Sequence, residues 1–188
     1  HYTVYLASGS NHWTFQNSRI MASRTGTFSY TLYWNRSEYL NVLNTRIVGG
    51  YYQMYNFGSG TGSSASKGLR VEESTFVGAG YYALYNRNLR EVVLKNNYID
   101  SMQRAGIGLY SYYCNMEWIE SNEIIGANYG FYWFYGNTVG SSSDTTVVIN
   151  NISKSNAIYG FYARDLDRVR MYHNVFEAPT SRYSFYWY

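Results

Sequence analysis

The sequence predicts an all-β solenoid, a chain that stacks one strand-rich repeat on the next along a single axis. Three observations carry this. A pattern of Tyr (once Ile), a mostly small residue, Leu/Met/Phe and Tyr recurs seven times, at 30–33, 52–55, 82–85, 107–110, 129–132, 159–162 and 183–186. A second pattern runs in phase with it: apolar, two variable residues, Ser/Thr/Asn, one variable residue, apolar. The chain has a single proline in 188 residues and no helical period, so strands dominate. The closing tyrosines lie 22 to 30 residues apart, a period at which no single repeat can bury its own apolar face.

Taken in order, each repeat reads as a first strand, a tight polar bend, a short strand, a variable loop and the tyrosine strand. The first strand and bend appear as Phe15…Ser18…Ile20, Val42…Thr45…Ile47, Val71…Ser74…Phe76 and Leu94…Asn97…Ile99. They continue as Ile119…Asn122…Ile124, Val147…Asn150…Ile152 and Met171…Asn174…Phe176. The residue at the bend is polar in every copy. Asn takes the left-handed backbone conformation that a sharp bend requires, and its amide can bond the same amide one rung away. Seven polar residues at one bend therefore predict a ladder. The segments 58–68 and 136–145 are Gly/Ser-rich insertions after Tyr55 and Tyr132, expected to protrude as loops from one edge of the stack.

With its polar bend and three short strands per rung, the chain resembles a right-handed parallel β-helix of the pectin-lyase-like type over residues 13–188. The resemblance implies about seven rungs and a single domain spanning 1–188. That family includes pectate lyases, polygalacturonases, phage tailspikes and adhesins, so the fold leaves the function open.

Strand alternation assigns faces. In the tyrosine strand the third residue is expected in the core together with the first, which would explain Ile107 in place of Tyr. The second and fourth then point outward, and the fourth forms a ladder of Tyr33, Tyr55, Tyr85, Tyr110, Tyr132, Tyr162 and Tyr186. Such a ladder either stabilises the sheet or offers a platform to a sugar chain or a protein surface. Trp34, Trp133 and Trp187 follow it, and either extend the platform or pack inside as corner residues.

Candidate catalytic groups are sparse. The outward positions of the first strand read Gln16, Leu43, Glu72, Lys95, Glu120, Val148 and Tyr172. Glu72 and Glu120 are two rungs apart, about 9.6 Å from the spacing of strands, near the upper limit for an inverting carboxylate pair. A surface charge ladder with Lys95 between them accounts for the arrangement without any catalysis. Asp165-Leu166-Asp167-Arg168 reads as a turn, because Asp favours bends and calcium needs more oxygen ligands than this segment holds. The Asn-Thr-Asp strand, paired Asp, Gly-His-Gly and Arg-Ile-Lys signatures of polygalacturonases are absent, as is the arginine motif of pectate lyases. His1, His12 and His173 lie in separate segments, and no metal, cofactor or nucleophile triad is expected.

Composition supports a structural reading. Charged residues are 14% of the chain, aromatic residues 20%, and 24 positions are Tyr. A net charge of +3 gives no pull toward nucleic acid, and no apolar stretch is long enough to span a bilayer. Cys114 is alone, which excludes an internal disulfide, and the sequons at Asn35 and Asn151 are weak signals in an Asn/Ser-rich chain. The sequence starts at His1, consistent with a mature form, a fragment or a missing start. Residues 1–12 begin with an alternating strand and the chain closes on another, so both ends look open. Tyr2, Val4 and Leu6 at one end, and Tyr183, Phe185 and Trp187 at the other, are the expected assembly residues. The resulting expectation is an extracellular or cell-surface solenoid subunit that forms a head-to-tail homopolymer, with residues 1–12 pairing to a neighbour. The alternatives are a carbohydrate-binding or adhesive module, and a polysaccharide lyase or hydrolase acting through Glu72 and Glu120.

Overall fold

The structure, a computed structural model, describes residues 1–23, 27–60, 64–100, 102, 106–137, 145–154, 157–179 and 183–188. Three parallel sheets run the length of the molecule, and each turn of the chain contributes one strand to each sheet. The tyrosine sheet has eight strands: Tyr2–Leu6, Tyr30–Asn35, Tyr52–Phe57, Tyr82–Arg87, Ile107–Tyr112, Tyr129–Phe134, Tyr159–Arg164 and Tyr183–Trp187. Trp13–Gln16 opens the first-strand sheet and Arg19–Met21 the short-strand sheet. Successive turns pair in register, as in Tyr33↔Tyr55, Tyr55↔Tyr85 and Tyr85↔Tyr110.

The core is the stack of inward residues from all three sheets. Leu32, Met54, Phe131 and Phe161 come from the tyrosine sheet, Leu40, Val71, Ile119 and Val148 from the first strands, and Ile47, Phe76 and Ile124 from the short strands. The N-terminal strand supplies an eighth copy of the tyrosine motif. Tyr2-Thr3-Val4-Tyr5 pairs with Tyr30, Leu32 and Tyr33. The smaller Val in the third position hides it from a pattern that asks for Leu, Met or Phe.

Two expectations about faces are corrected. In the tyrosine strand, the first residue points outward and the second is buried: Thr31, Gln53 and Ala83 are inaccessible, whereas Tyr30, Tyr52 and Tyr82 are partly exposed. The second and third residues are consecutively inward because the strand is kinked where the chain turns in from the short strand, and the pairing register skips the second position. The space there favours a small second residue; Gln53 is accommodated by donating its Nε2 to the Ile47 and Val77 carbonyls. A Cβ on Gly108 would meet Ile124, and one on Gly130 would collide with Ser153, both from the short-strand sheet. Ile107, buried where its counterparts are half-exposed, is therefore an exception rather than a core residue of the same set.

The second correction is a one-residue slip. Val148, not Val147, pairs with Ile119, so Val148 is core and Ile149 takes the outward position opposite Glu120. The bend residue is accordingly Asn151 rather than Asn150, and the inward position of the short strand is Ser153, with Ile152 turned to solvent.

The polar ladder runs through the bends as Thr45, Ser74, Asn97, Asn122, Asn151 and Asn174. The Nδ2 groups of Asn97, Asn122 and Asn151 each donate 2.9 Å to the Oδ1 of the next amide. The same Oδ1 atoms also accept the backbone N–H of the preceding rung, from Asn97 to Asn122, from Asn122 to Asn151 and from Asn151 to Asn174. Thr45 and Ser74 use their hydroxyls instead, accepting or donating through Oγ. The left-handed residue sits at Asn17, Asn44, Glu73, Asn96, Ser121, Asn150 and His173, with φ between 43° and 56°, one place before the expected bend residue in every copy but the sixth, where Asn150 is the residue expected. The bend is thus divided between two neighbours: one takes the unusual backbone conformation, and the next satisfies the buried polar groups.

Candidate functional site

The most distinctive surface is the outer face of the tyrosine sheet, which carries two columns of tyrosine rather than one. The first-position column runs Tyr2, Tyr30, Tyr52, Tyr82, then Tyr129, Tyr159 and Tyr183. The fourth-position column runs Tyr5, Tyr33, Tyr55, Tyr85, Tyr110, Tyr132, Tyr162 and Tyr186. Over the rungs from Tyr30 to Tyr85 the rings within a column are parallel: Tyr30–Tyr52 lie 4.8 Å apart at 10°, Tyr33–Tyr55 5.1 Å at 9°, and Tyr55–Tyr85 4.3 Å at 2°. Between the columns they are near perpendicular there, with Tyr30–Tyr33 at 5.2 Å and 89° and Tyr52–Tyr55 at 5.3 Å and 81°, and the pattern relaxes outward, to 36° for Tyr2–Tyr5 and 52° for Tyr183–Tyr186.

This herringbone follows from strand spacing. Rings attached to strands about 4.8 Å apart reach van der Waals contact of about 3.5 Å only by tilting. Opposite tilts in adjacent columns then set the edges of one against the faces of the other, the arrangement that the ring quadrupoles favour. Inside the columns, the ring faces are covered by neighbouring rungs, and solvent meets ring edges and hydroxyls. Burial and the neighbouring phenols raise the hydroxyl pKa values. Tyr52 and Tyr132 are pushed up to about 12, and Tyr55, Tyr82 and Tyr110 are also raised, with Tyr55 further held by a hydrogen bond to Tyr85. The face is therefore a neutral array of hydroxyls.

Beside the columns, the sixth strand position mixes aromatic and cationic groups. The Arg87 guanidinium lies 5.3 Å from the Phe57 ring and 5.4 Å from Tyr112. Trp34 and Trp133 are buried corner residues and do not extend the face, whereas Trp187 is exposed on the last strand. Sequence reasoning missed the polar column behind them. Asn56 and Asn86 are buried inside the tyrosine sheet, where Asn56 Nδ2 donates a 2.8 Å hydrogen bond to Asn86 Oδ1. The run Asn56, Asn86 and Ser111 between Trp34 and Trp133 at the fifth position was the available signal.

The weak catalytic candidates lie on the first-strand sheet. Lys95 is on the strand between Glu72 and Glu120, in register with both. Its Nζ is 3.2 Å from Glu120 and 4.9 Å from the Trp118 ring, and Trp118 Nε1 donates 2.8 Å to the same carboxylate. Glu72 is paired with Arg70 at 2.8 Å. Both carboxylates are therefore engaged in ion pairs along an outer face. At the Asp165–Arg168 turn, Asp165 pairs with Arg164 and Asp167 with Arg168, and Asp165 and Arg168 both have positive φ. Among the described residues no group of three His, Cys, Asp or Glu is placed to hold a metal ion.

Burial pushes the Cys114 thiol up to about 12, so it is a poor nucleophile. Asn151 of the second sequon is enclosed in the amide ladder, while Asn35 of the first is partly exposed beside the Tyr5 hydroxyl. Of the insertions, 61–63 and 138–144 lie outside the described residues. Ala65 and Ser66 are buried, Ser66–Lys67 pairs with Leu89 and Arg90, and Asn137 bonds Thr146 at 2.6 Å. Among the described residues no helix is long and apolar enough to cross a membrane.

A family described as right handed beta helix region matches residues 2–181. The chain belongs to that family. No curated protein and no solved structure matches it. The functional features of this β-helix are accordingly read from its own surface.

Core positions in the first and last described strands are more exposed than in the rungs between them. Phe185 is 45% exposed, whereas its equivalents Leu32, Met54 and Phe161 are fully buried. With Met171, His173, Asn174 and Phe176 it lines a recess of about 290 Å³. At the other edge Tyr2 and Trp13 are exposed, and Val4 and Phe15 only partly buried.

Proposed function

We propose that this β-helix is a structural solenoid subunit, working at or outside the cell surface, that assembles head to tail through its end rungs. The observation that carries this reading is the in-register parallel stacking of each rung on the next, which repeats the same tyrosine and core positions along one axis. A sheet edge with exposed apolar side chains is a template for another strand. The ion-paired carboxylates and the raised Cys114 pKa favour a structural role over a catalytic one. Analytical ultracentrifugation and electron microscopy of the purified chain test it. Filaments or ladders of oligomers are expected, and Phe185→Asp should abolish them; polymers that persist in a folded Phe185→Asp chain refute the reading.

A second reading has its own observation, the neutral hydroxyl array on the tyrosine face. It suits contact with an uncharged polysaccharide lying along the axis, where rungs spaced about 4.8 Å apart come close to the repeat of one sugar in an extended chain. Because the ring faces are covered, contact would be through hydroxyls and ring edges. Glycan binding that survives Tyr110→Ala together with Tyr132→Ala would remove this face from consideration.

A further inference from the structure

We infer that the tyrosine face carries oxidising equivalents along the axis of the β-helix, a radical passing from rung to rung by exchange of a hydrogen atom between a phenoxyl and the neighbouring phenol. The path lies within the interior rungs, from Tyr33 to Tyr162, and works in a single copy of the chain whether or not copies assemble.

The path is continuous. In the fourth-position column the ring centroids are 5.1 Å apart from Tyr33 to Tyr55, then 4.3 Å to Tyr85, 4.9 Å to Tyr110, 5.6 Å to Tyr132 and 4.8 Å to Tyr162. The first-position column touches it edge to face at Tyr52–Tyr55, Tyr82–Tyr85 and Tyr129–Tyr132, which gives a second lane over most of the length. That lane is broken at the buried Ile107. At this rung Tyr110 joins the two halves, in contact with Tyr82 at 5.3 Å on one side and with Tyr132 on the other. Tyr81 packs edge to face on Tyr82 at 4.5 Å, and it comes near enough to Tyr129 and Tyr132, beyond the gap, to act on their hydroxyls.

The exchange is balanced. A phenoxyl and the adjacent phenol become a phenol and a phenoxyl: one O–H bond breaks, an equivalent one forms, and the proton and electron move together. Donor and acceptor are the same group, so the step is close to thermoneutral and separates no charge. Burial, with the neighbouring phenols, pushes the Tyr52 and Tyr132 hydroxyls up to about 12, which disfavours a phenolate on this face. Tyr55 and Tyr85 share a direct hydrogen bond for the proton, and water that reaches the other hydroxyls relays it. The first radical requires a one-electron oxidant of the ferryl-haem or photo-generated metal class. That oxidant is reduced by the electron, and the proton passes to water. A thiol or an enediol ends the chain by returning a hydrogen atom. Met54, Cys114 and Met116, the oxidisable sulfur groups of the core, are buried, so an external oxidant meets phenols first.

The test reads arrival of the radical at a distance. A ruthenium polypyridyl complex is attached at Phe28→Cys, where the native ring is 70% exposed just before the strand Tyr30–Asn35. A laser flash oxidises it, with a cobalt(III) ammine as quencher. The reporter is 3-aminotyrosine in place of Tyr162, a phenol easier to oxidise, five rungs or about 24 Å beyond Tyr33. Cys114 is buried and takes no label. Electron paramagnetic resonance is expected to show the aminotyrosyl radical, in a yield independent of protein concentration. Tyr81→Phe together with Tyr110→Phe keeps the rings, removes the exchangeable hydrogens and should lower that yield several-fold. Tyr110→Phe alone, a milder change, should give an intermediate yield. Tyr98→Phe with Tyr172→Phe, from the other two sheets, should leave it unchanged. Equal yields with and without the Tyr81 and Tyr110 hydroxyls overturn the inference, as does an equal loss in the control pair. A yield that rises with concentration marks transfer between molecules and also overturns it, as does tyrosine oxidation that never reaches the reporter.

Discussion

Replacing Asn122 by Ala cuts the amide ladder at its centre. The Asn122 Nδ2 donates to Asn151 Oδ1 and to the Leu94 carbonyl, both at 2.9 Å. Its Oδ1 accepts from the Asn97 N–H at 3.2 Å and from Asn97 Nδ2 at 2.9 Å. Removing the amide strands two donors of Asn97, which is almost inaccessible to solvent. Leaving a buried polar group unsatisfied costs about 1–3 kcal/mol, so the expected loss is roughly 2–5 kcal/mol. That is a large share of the about 5–15 kcal/mol typical of a domain. For a chain of this size, the melting temperature should fall by roughly 2–4 °C for each kcal/mol. Urea unfolding followed by circular dichroism reads the change directly, with Asn41→Ala as the half-buried, outward-facing control, since Asn41 makes only a peripheral 3.3 Å contact to Thr14. Asn122→Ser should cost less than Ala, because Thr45 and Ser74 fill the same bend with hydroxyls. If Asn122→Ala costs no more than Asn41→Ala, the ladder does not hold the rungs together and the reasoning is refuted.

The slip at Asn150 and Asn151 gives a paired test: Asn151→Ala should be far more damaging than Asn150→Gly, which keeps the left-handed conformation, and equal unfolding midpoints would contradict the register. Gly130→Ala should destabilise severely because the new methyl collides with Ser153, whereas Gly126→Ala meets open space and should cost only the strain of its positive φ, both read by thermal unfolding. The tyrosine face sets an alkaline limit. Phenols with raised pKa leave stability intact below the unfolded value of about 10. Above it the unfolded chain loses protons that the folded chain keeps, so stability falls as pH climbs toward the folded values, about 12 for Tyr52 and Tyr132. A share of the tyrosinate absorbance should therefore appear only together with the loss of the circular dichroism signal above pH 10, and complete ionisation of all the phenols in a still-folded chain would contradict the burial argument.

Much of the fold was legible because a solenoid repeats its constraints. Seven copies of one pattern average out the irregularity of each, so the stack, its strands and the bend ladder could be read without any tertiary information. The errors arose where two readings fit one copy. Val147…Asn150…Ile152 matches the apolar–polar–apolar pattern better than Val148…Asn151…Ser153. The chain adopts the second, which lets Asn151 bridge Asn122 to Asn174 and lets Ser153 fill the space above Gly130, bonding the Gly160 carbonyl.

The tyrosine strand failed differently. Alternation is a rule for straight strands, and this strand is kinked, so Thr31 and Leu32 are both inward. A clue lay in the small second residue, since outward positions have no reason to be small.

The sequence by itself determined the period, the all-β character, the polar bend and the presence of a tyrosine ladder, because each depends on residue type recurring at a fixed spacing. Tertiary structure decided which tyrosines face outward, how their rings tilt, which of two adjacent asparagines enters the ladder, and that Glu72 and Glu120 each have a cation beside them. Those outcomes depend on contacts between rungs more than twenty residues apart, where a shift of one position or one kink changes the partner of every side chain that follows.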